Sequence, residues 1–375
     1  MPTPTSIRRR IAIPAVCALV ATGGCFTGLG PRAIRSERPE YNQQIVGSAD
    51  RELLLNLVRL RYNESPLFLE LGAVVTQYGV TASLSASGHI EGSGTGDATA
   101  STGLGYSESP TVTYTPLAGE DFATRMLTPI PLDSIMLFEQ SGWSAERLLL
   151  VAVQRVNDVF NAPTAGGPVP EHPPDYEAFA DLAARLQRLR LAGLIGLNWE
   201  PKAGEKEPPG RNPRFWIRTP ADAHAPLAAD VAAVRRSLGL EPGKNEFQLT
   251  AFPFGRRRDQ VGLRCRSLLG VLYFLSTAVE PPAADVEAGL VPVTKDDEGR
   301  TFDWSKVTGK VMRIRSQDER PDRAYVAVQH RGRWFYVEDD DQTSKATFSF
   351  LNILFSLQSA SGKGKAPLLT LPIGP

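Results

Sequence analysis

Between Thr76 and Tyr114 the chain alternates apolar and small polar positions over a length that few segments sustain. Thr76, Tyr78, Val80, Ala82, Leu84, Ala86, Gly88 and Ile90 hold even positions, and Gln77, Gly79, Thr81, Ser83, Ser85, Ser87 and His89 hold odd ones. After EGSGTGD the pattern resumes with Ala98, Ala100, Thr102, Leu104, Tyr106, Val112 and Tyr114 even, and Thr99, Ser101, Gly103, Gly105, Ser107, Ser109, Thr111 and Thr113 odd. Period two is the signature of a strand with unlike faces. Opposed residues of an antiparallel pair keep a constant index sum, so a three- or five-residue loop centred near Gly94 gives an even sum and puts both apolar sets on one face. The pattern predicts one long Gly/Ser-rich hairpin over residues 76–115.

Elsewhere the period is 3.6. Leu53, Leu54, Leu57, Val58 and Leu60 or Arg61 trace a helical stripe ending near Tyr62, with Ser48 or Asp50 as cap and Arg51, Glu52 and Arg59 outside. The segment PLFLELGAVV then reads as a strand. Helices are expected at 132–140, 144–160, 176–191, 267–279 and 343–357, the second burying Leu148, Leu149, Ala152, Val156 and Val159. Short strands are expected at 214–218, 246–252 and 309–315, with a hairpin AYVAVQHRGRWFYVED turning at Arg331 and Gly332. Strands mixed with helices without strict alternation imply an α+β fold: an antiparallel sheet with the long hairpin, packed with several helices. The Pro-rich NAPTAGGPVPEHPPD, residues 161–175, reads as a loop between an N-terminal α+β part (41–160) and a C-terminal one (176–375).

The first 30 residues set the address. Arg8, Arg9 and Arg10 precede an apolar run from Ile11 to Val20, about half of the roughly 20 residues a spanning helix needs. A basic start, a short apolar run and then small residues make a secretory signal peptide, residues 1–24. Thr22, Gly23 and Gly24 before Cys25 resemble a lipobox, in which the Cys thiol takes diacylglycerol and becomes the mature N-terminus. Thr22 replaces the usual Leu, and Cys17 lies inside the apolar run. Phe26, rather than Asp, follows Cys25, which favours the outer membrane, and residues 25–40 read as a lipidated tether. Each buried methylene contributes roughly 0.8 kcal/mol, so palmitate and further acyl chains on Cys25 hold the protein at a bilayer.

Three segments then carry a likeness: LLLNLVRLRYNESPLFLELGAVVTQY (53–78), YSESPTVTYTPLAGEDFATRMLTPIP (106–131) and AYVAVQHRGRWFYVEDDDQTSKATFSFLNILFSLQ (324–358). They resemble the repeated hallmarks of a family of uncharacterised bacterial lipoproteins, over most of the mature chain. The resemblance implies the envelope and a single unit, and implies no catalytic residue.

Charge and chemistry narrow the field. Without residues 1–24 the chain loses three arginines and no acid, leaving it three charges negative against its 41 acidic residues. That balance gives no basic surface for nucleic acid. Cys265 is the one thiol left after Cys25, so no internal disulfide forms. The sequence carries no G-x-S-x-G elbow, Walker A loop, H-E-x-x-H or paired C-x-x-C. His89, His172, His224 and His330 are dispersed and signal no metal site, and GSGTG at 92–96 lacks a following Lys and helix. Cys265 lies between Arg264 and Arg266, surroundings that activate a thiol when exposed; at the start of an apolar helix a buried role is expected. The run Glu338 to Asp341 fits helix capping better than calcium. Arg59, Arg61, Glu70 and Glu120 form either an internal ion-pair network or a ligand cleft. No catalytic residue, cofactor or metal is expected. A non-catalytic structural or assembly component of the outer membrane is the leading reading, with envelope proteins or further copies as partners. A barrel pore built from the 76–115 hairpin and an envelope hydrolase or glycan-modifying enzyme are the alternatives.

Overall fold

The computed structural model describes residues 29–90, 96–201, 211–220, 225–251, 257–359 and 369–372. Residues 1–24, where the sequence leads one to expect a signal peptide, and Cys25 lie outside that set. The fold is α+β. Its first helix, α1, runs Leu29–Arg61, so the expected tether is already helical from Leu29, and Ser48 and Asp50 are interior positions rather than caps. Pro39 lies within it. The chain divides within α1 into two compact units, Met1–Arg51 and Glu52–Pro375. In the second unit Leu53, Leu54, Leu57, Val58 and Leu60 are buried, which is the stripe expected from the sequence.

The hairpin follows as β1 (Leu69–Ile90) and β2 (Gly96–Pro116), succeeded by α2 (Glu120–Leu127), α3 (Leu132–Gln140) and α4 (Ala145–Ala152). Ser144 caps α4 by accepting a hydrogen bond from Arg147 N. The helix expected to reach residue 160 stops at Ala152, and the chain continues as β3 (Val153–Val156) and β4 (Val159–Phe160). Val156 and Val159 are buried, but as strand residues, a spacing that a helix would also have produced. The reason for the stop is remote in sequence. The Arg266 guanidinium donates to the carbonyls of Leu150 (3.2 Å), Val151 (3.1 Å), Val153 (2.9 Å) and Asn161 (2.6 Å). Asn161 Nδ2 donates to the carbonyls of Leu150 (2.9 Å) and Val153 (2.7 Å). Carbonyls that a longer helix would bond internally are satisfied from outside.

Beyond a 3₁₀ turn at Pro163–Gly166 come α5 (Glu177–Leu191), β5 (Ile195–Pro201), β6 (Arg211–Ile217), α6 (Ala225–Leu238), β7 (Glu246–Ala251), β8 (Gln260–Cys265) and α7 (Leu268–Ser276). Six strands form one sheet in the order β4-β3-β8-β7-β6-β5. Every neighbour is antiparallel except β7 and β8, which run parallel from Gln248↔Gln260 to Ala251↔Leu263, so this sheet is mixed rather than antiparallel throughout. Helices α5 and α6 are clamped by Asp230, which accepts from Arg185 Nη1 (2.5 Å) and Arg188 Nε (2.8 Å). The Pro-rich stretch 161–175 is loop as expected, yet Asn161, Ala162 and Ala165 are buried and Ala162 N bonds Asp175 O. It is packed into the second compact unit and does not divide it.

The remainder comprises α8 (Ala283–Glu287), α9 (Ser305–Thr308), β9 (Arg315–Gln317), β10 (Ala324–His330), β11 (Arg333–Glu338), α10 (Gln342–Ser359) and β12 (Leu369–Pro372). The strand expected at 309–315 shrinks to β9, because Val311 N and Met312 N bond back to Thr308 O and prolong the helical turn of α9. Strands β10, β11 and β9 make a small antiparallel sheet whose turn, Arg331 (φ 49°) and Gly332 (φ 80°), has the backbone of a two-residue hairpin. One apolar core runs through the second unit, including Phe179, Phe247, Phe274, Phe335, Phe348 and Phe350. Among the described residues no helix is long and apolar enough to cross a membrane.

Candidate functional site

The hairpin is the longest strand pair among the described residues. Its strands pair from Leu69↔Pro116 to Ile90↔Gly96, and the connection expected near Gly94 lies outside the described residues. From Ala73↔Thr113 outward every pair joins residues of equal parity, so the even positions of both strands share one face, as the alternation required. Below that, a bulge between Leu71 and Ala73 changes the parity: Leu69 and Leu71 oppose Pro116 and Tyr114. The extra residue, Gly72, thus moves the apolar set of β1 from odd to even positions at the point where the sequence itself changes phase.

The base of the hairpin is fastened to the end of α1 and to the segment before β1. Leu69 N donates to Glu52 Oε1 at 2.7 Å and Leu117 N to Phe68 O at 2.9 Å. Burial raises the pKa of Glu52, and the Leu69 amide and the charge of Arg59 oppose that shift. Further out the hairpin lies in a sheet of its own, order β1-β2-β12. Strand β12 pairs with β2 only over Thr111–Tyr114. Among the described residues the outer edge of β1 and the β2 edge from Pro110 to Gly96 have no strand beside them. Ten successive rows, Gly79↔Ser107 to Gly88↔Ala98, contain no acidic, basic or histidine residue. Tyr78↔Glu108 bounds them on the side of the body and His89↔Asp97 at the tip.

The titratable groups form structural contacts elsewhere. Tyr62 donates its hydroxyl to Asp285 Oδ2 at 2.5 Å and meets His330 and Phe335 edge-on at centroid distances of 5.3 and 6.0 Å. Burial and the Asp285 carboxylate raise the phenol pKa, so Tyr62 stays protonated. Arg331 spans Glu64 Oε1 at 2.8 and 3.0 Å and lies over the Tyr62 ring. His330 Nε2 lies 3.4 Å from Glu64 Oε2, without hydrogen-bond alignment, and burial lowers its pKa against the pull of Glu64. Arg61 Nη1 donates to Pro292 O at 2.7 Å, and burial lowers its pKa to about 10. This latch ties the end of α1 to α8 and to the β10–β11 turn, and the sequence did not mark Tyr62, Glu64 or Asp285. Of the suspected group, Arg61 is held here and Glu120 is exposed in the first turn of α2. The Glu70 side chain lies outside the described set.

Cys265 is 7% exposed, and burial pushes its thiol up to about 12, so it stays protonated at neutral pH. Arg266 beside it is 3% exposed and stacks 4.0 Å above the Phe274 ring. Burial without a carboxylate lowers Arg266 to about 9, and four carbonyl dipoles hold its charge. Asp341 caps α10, accepting from Ser344 N (3.0 Å) and Ser344 Oγ (2.6 Å), which is the use expected for the acidic run. His172 is exposed, His89 pairs in register with Asp97, and His224 lies outside the described residues. Among the described residues no three His, Cys, Asp or Glu side chains converge as metal ligands.

Compared with family models, curated proteins and solved structures, the chain matches none. Two concavities among the described residues bear on ligand binding. An apolar cavity of about 80 Å³, rimmed by Glu139 and Arg190 paired at 2.5 Å, has room for a few methylenes only. An open cleft of about 600 Å³ brings Asp158, Asp175 and Glu177 together with Phe160, Tyr176 and Phe302.

Proposed function

We propose that this chain is a non-catalytic structural or assembly component of the outer membrane, held there by acyl chains on Cys25. The Arg8–Arg10 start, the apolar run Ile11–Val20 and the small residues before Cys25 support the anchor. The observation that carries the assembly role is the hairpin, two strands of 22 and 21 residues whose edges beyond the base have no strand beside them among the described residues. Catalytic readings lose their best nucleophile with Cys265 buried and its thiol protonated.

Labelled palmitate followed by extraction and native mass determination tests the anchor and the stoichiometry together. Wild type is expected to carry label and to sediment with membranes, and Cys25→Ser to lose both. A palmitate-free, fully soluble wild type refutes the reading. A glycan-directed role has one observation in its favour, the cleft that joins three carboxylates to aromatic side chains. Binding of peptidoglycan fragments that Glu177→Gln and Asp175→Asn both abolish would favour it over assembly.

A further inference from the structure

We infer that the hairpin inserts in the outer membrane and that copies of this chain join hairpin to hairpin in a closed barrel. The inference rests on the anchored reading above. Three boundaries fall within six rows of one another at the lower end of the hairpin. The block without charge spans ten rows, Gly79↔Ser107 to Gly88↔Ala98. Among the described residues the β2 edge has no neighbouring strand from Pro110 outward, and Pro110, just above the rows that β12 covers, has no N–H to offer. Equal parity begins at Ala73 and lasts to the tip. An uncharged, unpaired, two-faced stretch therefore begins and ends within a few residues of the same places.

Its length fits a bilayer. Ten residues at about 3.4 Å each extend about 34 Å, and a strand tilted by about 40° lifts that through about 26 Å. Outer-membrane barrels present an apolar band about 25 Å tall, crossed by strands of about 9–11 residues. The even positions of the block are Val80, Leu84, Leu104 and Tyr106, four alanines, Gly88 and Thr102, whereas the odd positions are Gly, Ser and Thr throughout. Apolar outside and small polar inside is the barrel arrangement. Glu108 lies one row below the block, and His89 and Asp97 one row above, where headgroups and water begin.

Closure explains the edges. In hydrocarbon every backbone group needs a partner, so a lone hairpin cannot insert. The β1 edge of one copy and the free β2 edge of the next run antiparallel, and this unlike pairing closes into a ring of repeated hairpins. Eight strands, the smallest barrels, need at least about four copies.

The test uses full-length lipidated protein in phosphatidylethanolamine–phosphatidylglycerol vesicles, with an environment-sensitive dye on single cysteines. Leu84→Cys and Leu104→Cys are expected to be quenched at least about threefold more by nitroxide lipids than Ser85→Cys and Ser101→Cys, which aqueous iodide quenches instead. Leu84→Arg is expected to reduce heat-sensitive oligomers and dye release from the vesicles at least about tenfold, and Ser85→Arg to leave the oligomers intact. Equal wetting of even and odd positions on a palmitate-labelled, vesicle-bound protein overturns the barrel and leaves the anchor standing. Oligomers that form with no lipid quenching also overturn it, because the hairpins then meet in water. A wild type without palmitate that fails to bind vesicles refutes the anchored reading instead.

Discussion

Replacing Arg266 with Met tests the claim that a buried charge ends α4. The guanidinium is the side-chain donor to the carbonyls of Val151 and Asn161, whereas those of Leu150 and Val153 also receive Asn161 Nδ2. Arg266→Met therefore strands two carbonyls in the interior. Each buried orphan costs about 1–3 kcal/mol, and the methionine stem keeps most of the packing on Phe274 while relieving the burial of a charge. The expected net loss is about 3 kcal/mol. For a unit of this size, 1 kcal/mol moves Tm by about 2 °C, so the midpoint falls by about 6 °C. Arg266→Lys offers a point charge in place of a planar fork and is expected to lose about half as much. The assay is urea unfolding followed by circular dichroism, with the exposed Arg236→Met as control, expected within about 0.5 kcal/mol of wild type. If Arg266→Met unfolds within that same margin, the carbonyls do not depend on the guanidinium and the account of the helix stop is wrong.

Asp230→Asn should lower stability by about 1–2 kcal/mol, less than a fully buried pair, because the carboxylate is 8% exposed but Arg188 is 51% exposed. The two arginines depress the Asp230 pKa below 3.8, so this contribution is complete above that value and is lost as pH falls through the folded pKa; acid unfolding of Asp230→Asn should be correspondingly shallower. His330 behaves differently: burial lowers its pKa below 6.5, so stability is complete above 6.5 and declines as pH falls from there to the folded value. His330→Phe should flatten the difference between urea midpoints at pH 7.5 and pH 5, and an unchanged difference would refute that assignment. Gly332→Ala should cost about 1 kcal/mol in thermal melts, since φ is +80° and a Cβ there meets nothing within 4 Å, which leaves conformation as the whole effect.

What the sequence made legible was local. The hairpin was readable because one rule, parity, governs both strands, and the register from Ala73↔Thr113 onward follows it. Helix α3 lies at the expected residues, and α10 begins one residue before its expected start, after the Asp341 cap. Elements decided by distant partners were misread. Helix α4 ends where Arg266 acts from more than a hundred residues away, and Val156 and Val159 keep a helical spacing by coincidence. The latch at Tyr62 was invisible because Asp285 is 223 positions away and no local pattern pairs a phenol with a carboxylate. The 161–175 loop read as a divider because proline and glycine mark irregular backbone, whereas burial of Asn161 depends on its three donations to carbonyls around the end of α4. Residues 29–40 read as a tether for the same compositional reason, and α1 runs through them.

The body and the hairpin solve the edge problem in opposite ways. In the body, remote side chains meet the exposed backbone: Arg266 and Asn161 at α4, and Asn157, whose Nδ2 donates to Leu238 O and whose Oδ1 accepts from Gly262 N. Strands that stay in water normally protect an open edge with lysines, prolines, inward charges or a covering element. From residue 76 to 115 the hairpin has no Lys or Arg, and its one proline, Pro110, lies at the lower limit of the free β2 edge. A two-stranded hairpin is marginal in water even when its edges are guarded. Above Pro110 the two strands carry no lysine or proline, and among the described residues no third strand pairs beside them, which is the observation that the proposed assembly rests on.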